Sequence, residues 1–353
     1  MHATLPDTPL DIVGDVHGEH AALCALLAAL GYDDDGRHGQ GRTLVFVGDL
    51  CDRGPDSPGV IARVRRLVQA GRAVALLGNH ELNVLRGQRK SGNDWFWGEG
   101  AQHDARYAPC VGLQHEAERQ EVRAFFESLP PAASNRDLRV VHAAWHAPSL
   151  ARLAAHPQGL PLGTWFERLD EAAEAAQDAA ELRAAARTEK ASWRHHLNDP
   201  AAAMPMLHAV ARSEEARQMD NPLRVLTSGV ERCAQAPFFS SGQWRFTQRV
   251  RWWDGYDEDT PVVVGHYWRE FMPLERSQLG KAGPDLFQGT PAQSWLGARG
   301  NVYCVDFSVG GRWQERRAGC AGARTRLAAL RWPERELALD DGQVLPTTGF
   351  GRL

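Results

Sequence analysis

Three short polar segments, each directly after an apolar run, constrain this chain more than any other feature. Leu10–Val13 leads into Gly14-Asp15-Val16-His17-Gly18. Residues 43–47 lead into Gly48-Asp49-Leu50-Cys51-Asp52-Arg53-Gly54. Residues 73–77 lead into Gly78-Asn79-His80-Glu81. Apolar runs this short, stopped by glycine, read as buried strands. The segments follow one another at roughly thirty residues, the length of a strand–helix–strand unit. The intervals carry helical periodicity: Ala22, Leu23, Leu26, Leu27 and Leu30 before Gly31, then Val60, Ile61, Val64, Leu67 and Val68 before Gly71. Alternating strands and helices predict a parallel or mixed sheet with crossover helices. The polar residues then lie beyond the C-terminal ends of the strands, where open α/β sheets place their ligands.

Later segments repeat the pattern. Residues 138–141 run into His142, and 261–264 into Gly265-His266. Residues 302–307 form another strand candidate, and 223–226 a weaker one. Residues 164–187, rich in Ala, Glu and Arg, predict a long helix. Residues 189–217 continue it, with a break at Asn198-Asp199-Pro200. We therefore read 160–220 as a helical insertion or cap. Residues 92–100, with Trp95, Phe96 and Trp97, read as an aromatic loop. Residues 311–353 read as an Arg-rich, partly mobile C-terminal extension. A length of 353 residues alone suggests two domains at ~150 residues each, but the motifs spread over one fold spanning 1–353.

Composition excludes some classes. Hydrophobic residues at 43% and charged residues at 24% are those of a globular protein, not of a disordered chain, a collagen or a coiled coil. A formal charge of −4 offers no basic excess for nucleic acid or a membrane surface, so neither partner is expected. No apolar stretch of ~18 residues suggests a membrane span. The first ten residues lack a signal-peptide pattern, and the six scattered cysteines form no CxxC pair. A cytoplasmic location is the expectation.

If the strands are parallel, Asp15, His17, Asp49, Asn79, His142 and His266 converge on one edge. Carboxylate, amide and imidazole donors without thiolates suit first-row divalent ions. A shared carboxylate can bridge two such ions ~3.5–4 Å apart.

The three segments resemble the GDxHG, GDxxDRG and GNHE motifs of the calcineurin-like metallophosphoesterases. The DRG ending and GNHE are particularly similar to the phosphoprotein phosphatase branch and its bacterial relatives, which include the symmetrical diadenosine tetraphosphate hydrolases. The resemblance covers about 10–145 and 220–307. It implies a two-sheet β-sandwich flanked by helices, here with a helical insertion. It implies that Asp15 and His17 bind a first metal and that Asp49 bridges both. Asn79, His142 and His266 then complete the second metal's shell. Manganese is the first expectation, with iron, zinc, nickel or cobalt as alternatives. The resemblance further implies that Asp52 orients His80, which protonates the leaving group, and that Arg53 holds the phosphate. Glu81 would support the site or cap a helix. One departure is Trp268, which stands where many phosphodiesterase branches have a further histidine ligand; this favours the phosphatase branch.

The implied activity is dinuclear phosphoester hydrolysis, with a metal-activated hydroxide attacking phosphorus in line. The chief expectation is a phosphatase acting on a phosphoprotein or small phosphomonoester. The alternative is a dinucleoside polyphosphate hydrolase. A catalytically inactive binding module should lack a ligand or the His–Asp pair, and all are present. A second phosphate-binding arginine is usual in the phosphoprotein phosphatases, and Arg224 and Arg269 are the candidates. His146, His103 and His115 are weaker site candidates. His195-His196 reads as surface, Trp95 and Trp97 as core or lid packing, and the glycines of 36–41 as a turn.

Overall fold

In a computed structural model of the chain, residues 1–98, 104–240, 242–272 and 283–351 are described. The strands are β1 (His2–Thr4), β2 (Leu10–Val13), β3 (Thr43–Phe46), β4 (Ala73–Ala75), β5 (Ala132–Ser134), β6 (Arg139–Val141), β7 (Glu231–Ser240), β8 (Gln243–Arg249), β9 (Val262–Val264), β10 (Val302–Cys304), β11 (Ala328–Trp332), β12 (Glu336–Leu339) and β13 (Val344–Pro346). The helices are α1 (His20–Leu30), α2 (Ser57–Gln69), α3 (Asn79–Leu85), α4 (Asp94–Trp97), α5 (Glu116–Glu127), α6 (Ala147–Leu153), α7 (Leu162–Ala179), α8 (Leu182–Ser192), α9 (His208–Met219), α10 (Pro222–Ser228) and α11 (Arg312–Arg317).

Two sheets stack face to face. One runs β13-β12-β11-β2-β3-β4, with β2, β3 and β4 parallel. The other runs β1-β5-β6-β9-β10, with β6, β9 and β10 parallel. Side chains alternate across each strand, so every second residue enters the space between the sheets. Leu10, Ile12, Val45 and Val47 from the first sheet meet Val140, Val263, Tyr303 and Val305 from the second, all fully buried. The intervening residues Val13, Leu44 and Phe46 face outward onto the apolar stripes of α1 and α2. Asp56 caps α2 by accepting from Gly59 N at 2.8 Å.

The structure differs from the sequence reading in four places. Residues 223–226 lie in helix α10. Pro222 opens that helix, the Asn221 side chain accepts from Leu223 N, and Leu223, Val225 and Leu226 form its buried face. The C-terminal stretch is ordered sheet: β11 pairs antiparallel with β2, Leu330 opposite Ile12, and β12 and β13 extend it. One of its arginines, Arg312, is buried and bonds Thr325 and Asp340. The 302–307 strand ends at Cys304, although Val305 and Phe307 stay buried. Finally, β7 and β8 form a two-stranded hairpin that the half-polar sequence of 231–249 does not advertise.

Residues 160–220 hold α7, α8 and α9. Helix α7 buries Trp165 and Phe166, and α9 buries Val210 and Ala211 in a cluster with Phe246 of the hairpin. No helix among the described residues is long and apolar enough to cross a membrane.

Candidate active site

The C-terminal ends of β2, β3, β4, β6 and β9 meet at one place between the two sheets. They deliver Asp15 and His17, Asp49, Asn79 and His80, His142, and His266 respectively. Asp15, His17, Asp49, His80, His142 and His266 are all buried. Asp49 is their common centre. Its Oδ2 lies 3.4 Å from His142 Nε2, 3.8 Å from His17 Nε2 and 3.8 Å from His80 Nε2. Asp15 Oδ2 is 3.9 Å from His17 Nε2, and Asn79 Oδ1 is 3.2 Å from His142 Nε2. The His266 ring stands 5.1 Å from that of His142. Glycine is required where the chain passes close: a Cβ on Gly78 would meet Asp49 Oδ1 at 2.3 Å, and one on Gly265 would meet Asp15 Oδ1 at 2.1 Å.

Backbone groups set the ring orientations. His17 Nδ1 is 3.0 Å from the Cys51 carbonyl, and His142 Nδ1 is 3.0 Å from the Val47 carbonyl. A carbonyl only accepts, so each Nδ1 carries a proton and each ring turns its Nε2 to the centre. His266 Nε2 is buried without a hydrogen-bond partner among the described residues. The Glu81 carboxylate accepts from Asp49 N, Leu50 N and Gly78 N at 2.8–2.9 Å, and from the Cys51 thiol at 3.3 Å. It ties the Asp49 loop to the start of α3. Three loops at the centre are strained: His17, Asp49, Asp52, Arg53, His266 and Trp268 all have positive φ between 47° and 76°. Non-glycine residues cost about 1–3 kcal/mol each in such conformations, which persist where surrounding structure enforces them.

The charges need a cationic partner. Burial and the neighbouring Asp306 push the Asp15 carboxyl well above its usual range. Burial raises Glu81 and Asp306 as well. Burial also acts to raise Asp49, but His142, His80 and His17 outweigh it and hold it well below. Burial would lower His142, yet Asp49, Asp15 and Glu81 lift it to about 10. Buried carboxylates in this number need compensation beyond imidazoles. Oxygen and imidazole groups, Nε2 atoms turned inward and a His266 Nε2 without a partner among the described residues all fit divalent cations shared across Asp49.

Beside this centre sits a second constellation. His80 Nδ1 donates to Asp52 Oδ2 at 2.5 Å, and Trp95 Nε1 donates to Asp52 Oδ1 at 2.6 Å. Arg53 Nη1 lies 3.0 Å from His17 Nε2, and the guanidinium lies 4.8 Å from the Trp268 ring centre. Arg53 and Trp268 open onto a cavity of about 1200 Å³ walled by the β7–β8 hairpin.

Other candidates lie elsewhere. Arg224 binds Asp170 and stacks on Phe166. Arg269 is 1% exposed and spends its guanidinium on the carbonyls of Cys304, Pro291 and Ser294. His146 bonds Ser149 at the start of α6, His115 precedes α5, and His195 and His196 are exposed. His103 lies outside the described residues. Trp97 bonds Asn93, whereas Trp95 reaches the site through Asp52. Two groups escape the sequence reading. Asp306 accepts from Trp268 N at 2.6 Å and Ser308 N at 2.8 Å, beside Asp15. Its position two residues past β10 is the only signal it carries. Arg249, at the end of β8, lines the same cavity as Arg53 and carries no site motif.

Residues 8–159 match the calcineurin-like phosphoesterase family. A bis(5'-nucleosyl)-tetraphosphatase PrpE (asymmetrical) of Bacillus velezensis is 32% identical over 174 residues, covering 43% of this chain and 69% of that enzyme. The chain belongs to the calcineurin-like phosphoesterases. A symmetrical bis(5'-nucleosyl)-tetraphosphatase of Ralstonia nicotianae is 41% identical over 126 residues, covering 35% of this chain and 40% of that enzyme. Several other relatives are matched over only 30% of their length. Among solved structures, a cold-active protein-tyrosine phosphatase of Shewanella aligns with 98% of this chain and 83% of its own at 17% identity, with a TM-score of 0.46.

Proposed function

We propose that this phosphoesterase is a dinuclear, divalent-metal-dependent hydrolase whose centre is bridged by Asp49. The observation that carries the reading is the Asp49 carboxylate set 3.4–3.8 Å from imidazoles supplied by both sheets. Asp15, His17 and Asp49 would hold one ion, and Asp49, Asn79, His142 and His266 the other. When bound, such ions neutralise phosphate charge and lower the pKa of water towards ~7. Manganese is the first choice, with iron, zinc, nickel and cobalt as alternatives.

The chain's own residues supply the rest. Asp52 fixes the His80 ring through Nδ1, which leaves Nε2 to give a proton to the departing oxygen. Arg53 grips the phosphate with its fork of donors, and stacking on Trp268 limits the positions it can adopt. Arg249, facing the same space, is suited to be the second phosphate-binding arginine. We read residues 1–353 as one catalytic unit with 160–220 inserted. All six cysteines are free thiols, which supports a cytoplasmic setting.

Phosphomonoester hydrolysis is the primary reading. Cleavage of dinucleoside polyphosphates is the second, and the named activities of the Bacillus velezensis and Ralstonia nicotianae relatives favour it. The test is hydrolysis of p-nitrophenyl phosphate with added manganese. Activity should vanish with chelator, return with metal, and be lost in the Asp49→Asn, His80→Ala double variant. Undiminished activity in that variant would sink the assignment.

A further inference from the structure

The cavity beside the centre is far larger than one phosphoryl group requires. At about 1200 Å³ it exceeds the usual range for a small-molecule site of roughly 300–1,000 Å³. Arg53 and Trp268 stand at its catalytic end. Strand β8 supplies one wall, with Arg245, Thr247 and Arg249 all lining it. These residues alternate along the strand, so they share one face, while Phe246 turns the other way into the cluster with α9. Arg245 and Arg249 are thus roughly 13 Å apart along that face. Across the hairpin, Phe238 is the register partner of Arg245, and the opposite wall adds Phe287.

Three carboxylates, of Glu231, Glu270 and Asp285, share the lining with the guanidiniums of Arg53, Arg245 and Arg249, and Glu231 stands opposite Arg249 across the hairpin. Glu231 accepts from Thr247 at 2.9 Å, and Asp285 accepts from Phe287 N at 3.0 Å. Among the described residues, neither Arg245 nor Arg249 forms an ion pair. Unpaired guanidiniums beside aromatic rings, in a walled cavity, recognise a compact anion with an aromatic part.

We infer that the β7–β8 hairpin forms the leaving-group subsite, in which Arg245 determines specificity for an oligophosphate bearing a nucleobase. Arg249 meets the phosphates nearest the centre. Arg245 and Phe238 hold the distal phosphate and the base. This rests on the phosphoesterase reading of the adjoining centre. Phe238 and Phe287, on the same lining as the arginines, offer a nucleobase stacking faces that a phosphopeptide does not need.

The test compares kcat/KM for diadenosine tetraphosphate, p-nitrophenyl phosphate and a phosphotyrosine peptide, in wild type and Arg245→Gln, with manganese. The ratio of tetraphosphate to p-nitrophenyl phosphate should fall about 10-fold or more, the worth of one charge-assisted hydrogen bond. Arg245→Lys should recover part of it. With wild type alone, ATP should compete against p-nitrophenyl phosphate, which keeps the test valid if the variant folds poorly. An unchanged ratio, or an equal fall for the peptide, overturns the subsite. Wild type that cleaves p-nitrophenyl phosphate but not the tetraphosphate overturns the subsite alone. Wild type that cleaves nothing overturns the catalytic reading beneath it.

Discussion

The two oxygens of Asp52 are divided between His80 and Trp95: Oδ2 accepts from the imidazole at 2.5 Å and Oδ1 from the indole at 2.6 Å. The carboxylate is fully buried, so its orientation is set by these partners and by the Ser57 hydroxyl on its backbone N–H. A tryptophan of the short helix α4, where the sequence suggested a loop, thereby fixes the group that fixes the proposed acid. Trp95→Phe keeps the packing and deletes the donor. It should lower kcat by about 5- to 20-fold, with little change in KM or metal content. Asp52→Asn should cost about 100-fold or more, since a misoriented imidazole cannot deliver its proton. The losses should be larger for alkyl phosphates than for p-nitrophenyl phosphate, whose leaving group needs less protonation. Equal losses on both would remove His80 from the proton path.

Metal stoichiometry separates bridging from terminal ligands. Asp49 is near three imidazoles, whereas His266 is near one. Elemental analysis after manganese reconstitution should give about two ions per chain for wild type. Asp49→Ala should retain less than about one, and His266→Ala about one. Two ions retained in Asp49→Ala would disprove the bridge.

Glu81 offers a test of scaffolding without chemistry. Its carboxylate accepts from three backbone N–H groups in a fully buried position. Glu81→Gln replaces one acceptor oxygen by a donor that faces donors. The variant should lose about 1–3 kcal/mol in urea unfolding, the cost of a buried unsatisfied group. Activity should fall with it, because Asp49 N is one of the released donors. Unaltered stability would mean that the loop holds itself.

These predictions separate what the chain announces from what it hides. The convergence of Asp15, Asp49 and Asn79 was legible because each sits after a glycine that ends an apolar run, a local pattern. Glu81 was legible as support for the same reason. Trp95, Asp306 and Arg249 were not, because each acts through a partner far along the chain: Asp52, the Trp268 backbone, and the cavity shared with Arg53. Leu223–Leu226 failed differently. A four-residue apolar run fits a strand or one face of a short helix, and only the Asn221 cap and Pro222 tip the balance. The C-terminal strands were obscured because the buried runs Ala328–Leu330 and Leu337–Leu339 are only three residues each and close on the charged pair Arg331 and Glu336.

Acid sensitivity should report how the insertion is held. Asp170 of α7 accepts from Arg224 and Asn221 of the α10 region, and Arg86 beyond α3 stacks on Phe166 one turn away. Burial would raise the Asp170 carboxyl, but the hydrogen bonds from Arg224 and Asn221 prevail and lower it. A carboxylate depressed in the folded state contributes stability above its unfolded value, ~3.9, and loses it as pH falls through the folded value. The contribution should therefore be complete at pH 7 and decline below about pH 4. Asp170→Asn should cost roughly 1–3 kcal/mol at pH 7, as expected for hydrogen bonds to a charged group. The gap between variant and wild type should narrow as pH drops from 5 to 3, measured by urea unfolding at each pH. A gap that stays constant over that range would show that the ion pair contributes nothing to docking α7.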